Sequence, residues 1–297
     1  MGSLKGQGTG MRFEDFARLH GLRVGSLIAG KWIAVPTEDH PRKRNGRYKY
    51  LGNVGWVQNW ATMDRPEMWR SESDDYQAAP VRAMLQDAER ERQRDAEKAA
   101  QKAAWIMHQC KPAPHPYLVN KGFPDEIGNL WEEKGLLVIP MRLGSRLIGA
   151  QLISDKGDKK FLQGQRTKGA SFVMDAKGIP IFCEGFATAL SVRAVMRAMK
   201  IRYSIHVCFS ASNLENVARG IDGGFIVADN DANGIGERAA RHCGKPYWLS
   251  DTPGEDFNDF HRRAGLFRAM SSLKRAIYGD ASSGVRSGLQ SAAPSLS

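Results

Sequence analysis

The chain has 297 residues, and at about 150 residues per domain its length suggests roughly two domains. Hydrophobic residues make up 42%, enough for a real core, and no apolar run approaches the ~18 residues a membrane span needs, so wholesale disorder and a membrane protein are both excluded. Lys and Arg number 43 against 32 Asp and Glu, a net charge of +11 that suits a polyanionic partner as well as simple solubility. Cys110, Cys183, Cys208 and Cys243 stand singly, which argues against a disulfide framework and a cysteine-based zinc ribbon. With no charged-then-apolar leader at the start, the expectation is a cytoplasmic protein without a membrane partner.

The first ten residues are polar and Gly-rich and are expected to be disordered. Phe13, Phe16, Ala17 and Leu19 are spaced for one face of a short helix. Residues 27–35 and 47–58 alternate around turn signals at Asn45-Gly46 and Gly52-Asn53, which predicts a β-meander. Residues 40–50 carry five basic side chains, no acids and two tyrosines, and Trp56, Trp60 and Trp69 follow. That mixture suits a ribbon that takes phosphates on its cations and bases on its rings. It equally suits a small module whose tryptophans are its own core.

Residues 81–109 lack Gly and Pro, and pairs such as Asp87 with Arg90 sit at helical spacing. A solvated connecting helix is expected, docking only at its C-terminal end near Trp105-Ile106-Met107. Beyond it, 136–141 and 147–153 read as a hairpin. Strands at 179–183, 205–210, 225–228 and 247–250 then alternate with helices at 187–199, 214–219, 235–242 and 257–263. The alternation predicts a mostly parallel sheet covered by helices. From Ala281 the chain is rich in Ser, Gly and Ala, and disorder is expected.

Acidic residues fall at the tips of three predicted strands, where doubly wound sheets collect ligands. Glu184-Gly185 ends the first, Asp229-Asn230-Asp231 the second, and the run Glu255 to Asp259 follows the third. Residues two apart on an extended chain point the same way, so Asp229 and Asp231 can share a face. Glu184, Asp229 and Asp231 then form an oxygen-only set suited to Mg²⁺ or Mn²⁺, and their mutual repulsion itself asks for a cation. Each motif alone is a common surface turn; all of them in order on strand tips favour a site. Asp229-x-Asp231-x-Asn233-Gly234 also imitates an EF-hand loop, but its twelfth position is Ala240 and a strand precedes it, so calcium of that kind is not expected.

Glu-Gly after one strand and Asp-x-Asp after a later one resemble the Toprim domain of bacterial-type primases, topoisomerases and some nucleases. The likeness extends to His115-Pro116-Tyr117-Leu118-Val119-Asn120-Lys121-Gly122, to 137–142 with 147–151, to Lys159-Lys160-Phe161-Leu162, to Lys168-Gly169 and to Asp256-Phe257-Asn258-Asp259, so it spans roughly 115–265. It is similar to the Toprim primases of phages and plasmids. The resemblance implies an α/β fold: a Toprim domain over 173–265 (a Rossmann-like, mostly parallel sheet flanked by helices), preceded by a mixed α/β catalytic subdomain over 113–172. Before these lie a small β-rich module at 1–75 and a charged helical linker at 76–112; a helix and tail at 266–297 follow.

The resemblance implies Glu184 as acid/base or metal-organising carboxylate, Asp229 and Asp231 as metal-holding, and Asp256 and Asp259 as a second cation site. It implies Arg142, Lys160 and Lys168 as contacts to nucleoside triphosphate or template. Residues 33–62 resemble the family's zinc ribbon without its cysteines, so no zinc is expected; Arg42, Lys43, Arg44 and Arg47 are the template-binding candidates there. No GxxxxGK[ST] occurs, so a replicative helicase would be a separate partner. The leading expectation is a primase-like nucleotidyltransferase making RNA primers on single-stranded DNA. A Toprim nuclease, or a non-catalytic single-strand-binding accessory protein, would use the same residues.

Overall fold

The computed structural model describes residues 11–63, 65–71, 78–231 and 234–278, without the side chains of 78–85 and 88. The disorder expected for the first ten residues and from Ala281 onward falls outside the described residues. The chain divides into two compact units, 1–94 and 95–297, with the boundary inside the long connecting helix.

In the first unit, α1 (Phe13–Leu19) precedes strands β1 (Trp32–Val35), β2 (Gly46–Tyr50), β3 (Val54–Asn59) and β4 (Glu67–Arg70). They form an antiparallel meander in chain order, one strand longer than the sequence pattern indicates. One sheet face is the core: Tyr48, Val57 and Trp69 close over Phe13 and Leu22. Phe13 lies edge-on to Trp69, ring centres 5.5 Å apart, a favoured aromatic geometry.

Helix α2 (Ala78–Gln109) crosses into the second unit. There its buried residues are Ala99, Ala103 and Ile106, which pack with Trp131, Val138, Ala150 and Leu162. The docking expected near Trp105-Ile106-Met107 is made by Ile106, with Met107 packed beside it, whereas Trp105 is half exposed and meets Trp131 edge-on.

The second unit holds two five-stranded sheets. The first contains β5 (Lys111–Ala113), β6 (Gly128–Trp131), β7 (Leu136–Leu143), β8 (Arg146–Ile153) and β9 (Lys159–Phe161), antiparallel and in chain order, with the short α3 (Pro116–Asn120) after β5. The second begins with β10 (Phe172–Asp175) and β11 (Ile179–Cys183), followed by α4 (Phe186–Ala198), β12 (Tyr203–Val207), α5 (Ala211–Arg219), β13 (Phe225–Val227), α6 (Ile235–His242), β14 (Tyr247–Trp248), α7 (Phe257–Ala264) and α8 (Leu266–Tyr278). Its order is β10-β12-β11-β13-β14; only β10 runs antiparallel. The molecule is therefore mixed α/β, with a mostly parallel sheet flanked by helices.

The central strands β11 and β13 are buried along most of their length, as parallel strands covered on both faces require. One continuous core joins the two sheets, with Leu118, Leu137 and Met141 from the antiparallel side packed among Ile181, Leu190 and Val207. Among the described residues no helix is long and apolar enough to cross a membrane.

Gly55 marks a close approach in the first unit: a Cβ there would lie 2.3 Å from the buried Phe13 ring. Gly55→Ala is expected to destabilise this unit by about 1–3 kcal/mol through overpacking. Gly25→Ala, with nothing within 4 Å of its Cβ, is the control and should stay within about 0.5 kcal/mol of wild type in urea unfolding.

Candidate active site

In the parallel sheet β11 lies between β12 and β13, so the chain leaves β11 to one side and returns on the other. The loops after β11 and β13 diverge there, and such a switch point is where doubly wound sheets open a ligand crevice. Cys183 and Val227 are register partners. Glu184 follows the first directly, and Asp229 follows the second after Ala228. Gly236, at the start of α6, packs so closely on the Asp229 carbonyl that a Cβ would lie 2.4 Å from it.

Asn230, the middle residue of the Asp-x-Asp motif, clamps this loop to the one after β14. Its side-chain amide donates to the carbonyls of Ser250 (2.9 Å) and Thr252 (3.2 Å), and its own carbonyl accepts from the Gly254 N–H. Glu255 is buried and paired with Arg263 at 2.6 Å and 3.0 Å, and it accepts from the Ser250 hydroxyl. Glu255 is thus a latch for the loop. The next residue, Asp256, caps α7 by accepting from the Asp259 N–H at 2.8 Å.

Glu184, Asp229 and Asp256 line one pocket of about 120 Å³. The antiparallel half contributes Tyr117, Lys121, Gln151 and Lys159, and Gly185, Ala187, Thr188 and Phe209 complete the lining. Phe209 holds a left-handed backbone (φ 69°), a conformation costly for a bulky residue and common where a site fixes its chain. Burial pushes Asp229 up to about 7, helped by repulsion from Glu184, Asp256 and Asp231 and opposed by Lys159. Glu184 is raised by burial and by Asp231, against the pull of Lys159 and the Ala211 amide. The Oδ1 of Asp229 is enclosed and has no hydrogen-bond partner.

This donor set fits a hard divalent cation such as Mg²⁺ or Mn²⁺: carboxylates only, crowded enough to repel, with one enclosed oxygen unpaired. Among the described residues no three His, Cys, Asp or Glu side chains form a ready-made metal cage. Mg²⁺ in particular is commonly held by one or two carboxylates, with water and phosphate completing its shell. Asp229, with its unpaired Oδ1, and Glu184 beside it are the residues that would hold it.

The remaining candidates sit elsewhere. Asp231 is exposed and acts on Glu184 and Asp229 through its charge, without lining the pocket. Asp259 lies in the first turn of α7 and does not line it either. On β9, Lys159 pairs with Ile153 and Lys160 with Leu152, so successive side chains alternate and Lys159 is the one facing the carboxylates. Lys160 is exposed off the pocket. Arg142 donates to the Ser145 carbonyl of its own hairpin at 2.8 Å. Lys168 is exposed beside Gly169, whose N–H is held by Asn213 at 2.7 Å.

In the first unit, Arg42, Lys43 and Arg44 are exposed before β2. Arg47 is engaged inside the sheet: it donates twice to Gln58 (3.0 and 2.8 Å) and lies 4.4 Å over Trp32 and 5.8 Å from Trp60. Register aligns Trp32, Lys49, Trp56 and Met68 across the face opposite the core. Trp69 is core, whereas Trp32 (39%) and Trp60 (48%) are exposed, so the tryptophans divide between the two roles their composition allows.

No protein-family model matches the chain, and no curated protein matches it.

The raised Asp229 makes a pH prediction. Its ionised form destabilises the metal-free fold, a penalty absent below about pH 4 that grows until about pH 7 and is flat above. Asp229→Asn cannot ionise, so in EDTA it should exceed wild type in stability by on the order of a few kcal/mol above pH 7. Urea melts should show that advantage vanishing as the pH falls to 4, and Mg²⁺ should narrow it by stabilising wild type. A constant difference across this range would contradict the assignment.

Proposed function

We propose that the chain is a Toprim-type, primase-like nucleotidyltransferase that joins ribonucleotides on a single-stranded DNA template. The observation that carries this reading is the pocket at the switch point, where Glu184, Asp229 and Asp256 face Lys159 and Lys121. Phosphoryl transfer depends on positioning and charge neutralisation more than on covalent chemistry by the protein, and a site of opposed carboxylates and ammonium groups supplies both. A bound divalent ion would neutralise charge between carboxylates and phosphates. Lys121 and Lys159 bind the polyphosphate. The carboxylate of Glu184, made more basic by burial, is placed to take the proton of the attacking hydroxyl.

The sequence resemblance to Toprim primases supports the same reading, as does the mixed subdomain ahead of the parallel sheet. The outer face of the N-terminal sheet is the template-binding candidate. Its exposed Trp32 and Trp60 offer stacking surfaces, and Arg42, Lys43 and Arg44 offer phosphate contacts.

The first test is primer synthesis from labelled ribonucleotides on single-stranded DNA with Mg²⁺ or Mn²⁺. Glu184→Gln and Asp229→Asn should each lower the rate by about 10²–10³-fold. Product that survives both substitutions would overturn the assignment, and cleavage of labelled strand without nucleotides would identify a nuclease instead. The second test is binding to single-stranded DNA across a salt series. Trp32→Ala should cost about 1–3 kcal/mol with little change in salt slope. Replacing Arg42, Lys43 and Arg44 by Ala should flatten the slope by about 2, at roughly 0.7 per phosphate contact.

A further inference from the structure

We propose that Tyr117 is a substrate-positioning residue of the carboxylate pocket, its hydroxyl left without a partner in the ligand-free fold and donated to a phosphate oxygen of the incoming triphosphate. The inference rests on the nucleotide-polymerising reading and adds to it a contact that the family motifs do not assign.

Tyr117 is the second residue of α3, and the imidazole of the N-cap His115 accepts its backbone N–H at 3.2 Å. The side chain is 3% exposed and packs in the core shared by the two sheets, so its position is fixed by neighbours. Its hydroxyl is enclosed and has no hydrogen-bond partner, yet the residue lines the pocket with Lys121, Lys159, Asp229 and Asp256.

An unpaired buried hydroxyl destabilises a fold, typically by about 1–3 kcal/mol, and most buried polar atoms are paired. Phenylalanine would fill the same space without that penalty, so packing does not account for the oxygen. Burial and the charge of Asp256 push the phenol up to about 12, which keeps it a neutral donor at physiological pH. The nearby carboxylates are acceptors, and none takes its proton. A ligand entering the pocket brings the missing acceptor. Lys121 and Lys159, supplied like Tyr117 by the antiparallel half, draw the negative charge of such a ligand to that side, which points to a phosphate oxygen.

The test is Tyr117→Phe in the full chain. Without ligand, the variant should be as stable as wild type or more so, because it loses only an unpaired group. Calorimetric titration with inorganic tripolyphosphate and Mg²⁺ should show Kd weakened by about tenfold, the loss of one hydrogen bond to a charged acceptor. In primer synthesis, KM for nucleotide should rise by a similar factor while kcat changes by less than about threefold, the signature of lost ground-state binding. A variant that is destabilised without ligand would mean that the hydroxyl is paired within the protein, and an unchanged Kd and KM would mean that it meets no ligand. Either result overturns the role of Tyr117 alone. Wild-type protein that binds no tripolyphosphate would overturn the nucleotide reading beneath it, so the two failures are distinct.

Discussion

Burial of like charge at the tips of two adjacent strands is the constraint around which the second unit is organised. Neighbouring strands lie about 4.8 Å apart, and the pairing of Cys183 with Val227 brings Glu184 and Asp229 out at the same end of adjacent strands. An arrangement of this kind persists only if the surrounding structure determines it many times over. The all-apolar strands β11 and β13, the Asn230 clamp, the Glu255–Arg263 latch and the close seat of Gly236 on Asp229 do so together.

Compensation for that charge comes from outside the parallel sheet. The antiparallel half brings Lys121 and Lys159 to the pocket, and the core common to both sheets holds the two halves in one body. Asp256 is partly compensated locally, since a carboxylate that caps a helix lies at the positive end of the peptide dipoles. The pocket is therefore polarised, with acceptors on one side and donors on the other.

Much of this was legible in the sequence, and the residues that were not share a physical reason. Apolar runs ending at Cys183 and Ala228 mark buried strands whatever their partners, so the carboxylates at their tips could be placed early. The choice between Lys159 and Lys160 could not, because a three-residue edge strand is too short for its alternation to be read against a hydrophobic pattern. Arg47 looks like a free cation in a basic run, and only the cross-strand register reveals Gln58 and Trp32 as its partners. Tyr117 belongs to the 115–122 segment that carries the family resemblance, but its hydroxyl without a partner is a fact of the fold that no pattern of residue types contains. Spacing suggests that Asp231 can share a face with Asp229; in the fold it is exposed and meets Glu184 and Asp229 through its charge.

The balance of charge in the pocket indicates how incomplete the protein's own compensation is. Among the groups acting on Asp229, Lys159 is the cation and three carboxylates oppose it, with burial adding to them. One ammonium leaves Asp229 near 7, about three units above an unperturbed carboxylate, so at neutral pH the ligand-free site is divided between a bound proton and an uncompensated charge. A proton satisfies one oxygen and cancels one charge. Glu184 and Asp256 line the same pocket, so a proton on Asp229 relieves only part of the repulsion among the three. Lys159 opposes that repulsion without cancelling it, and Asp229 stays raised.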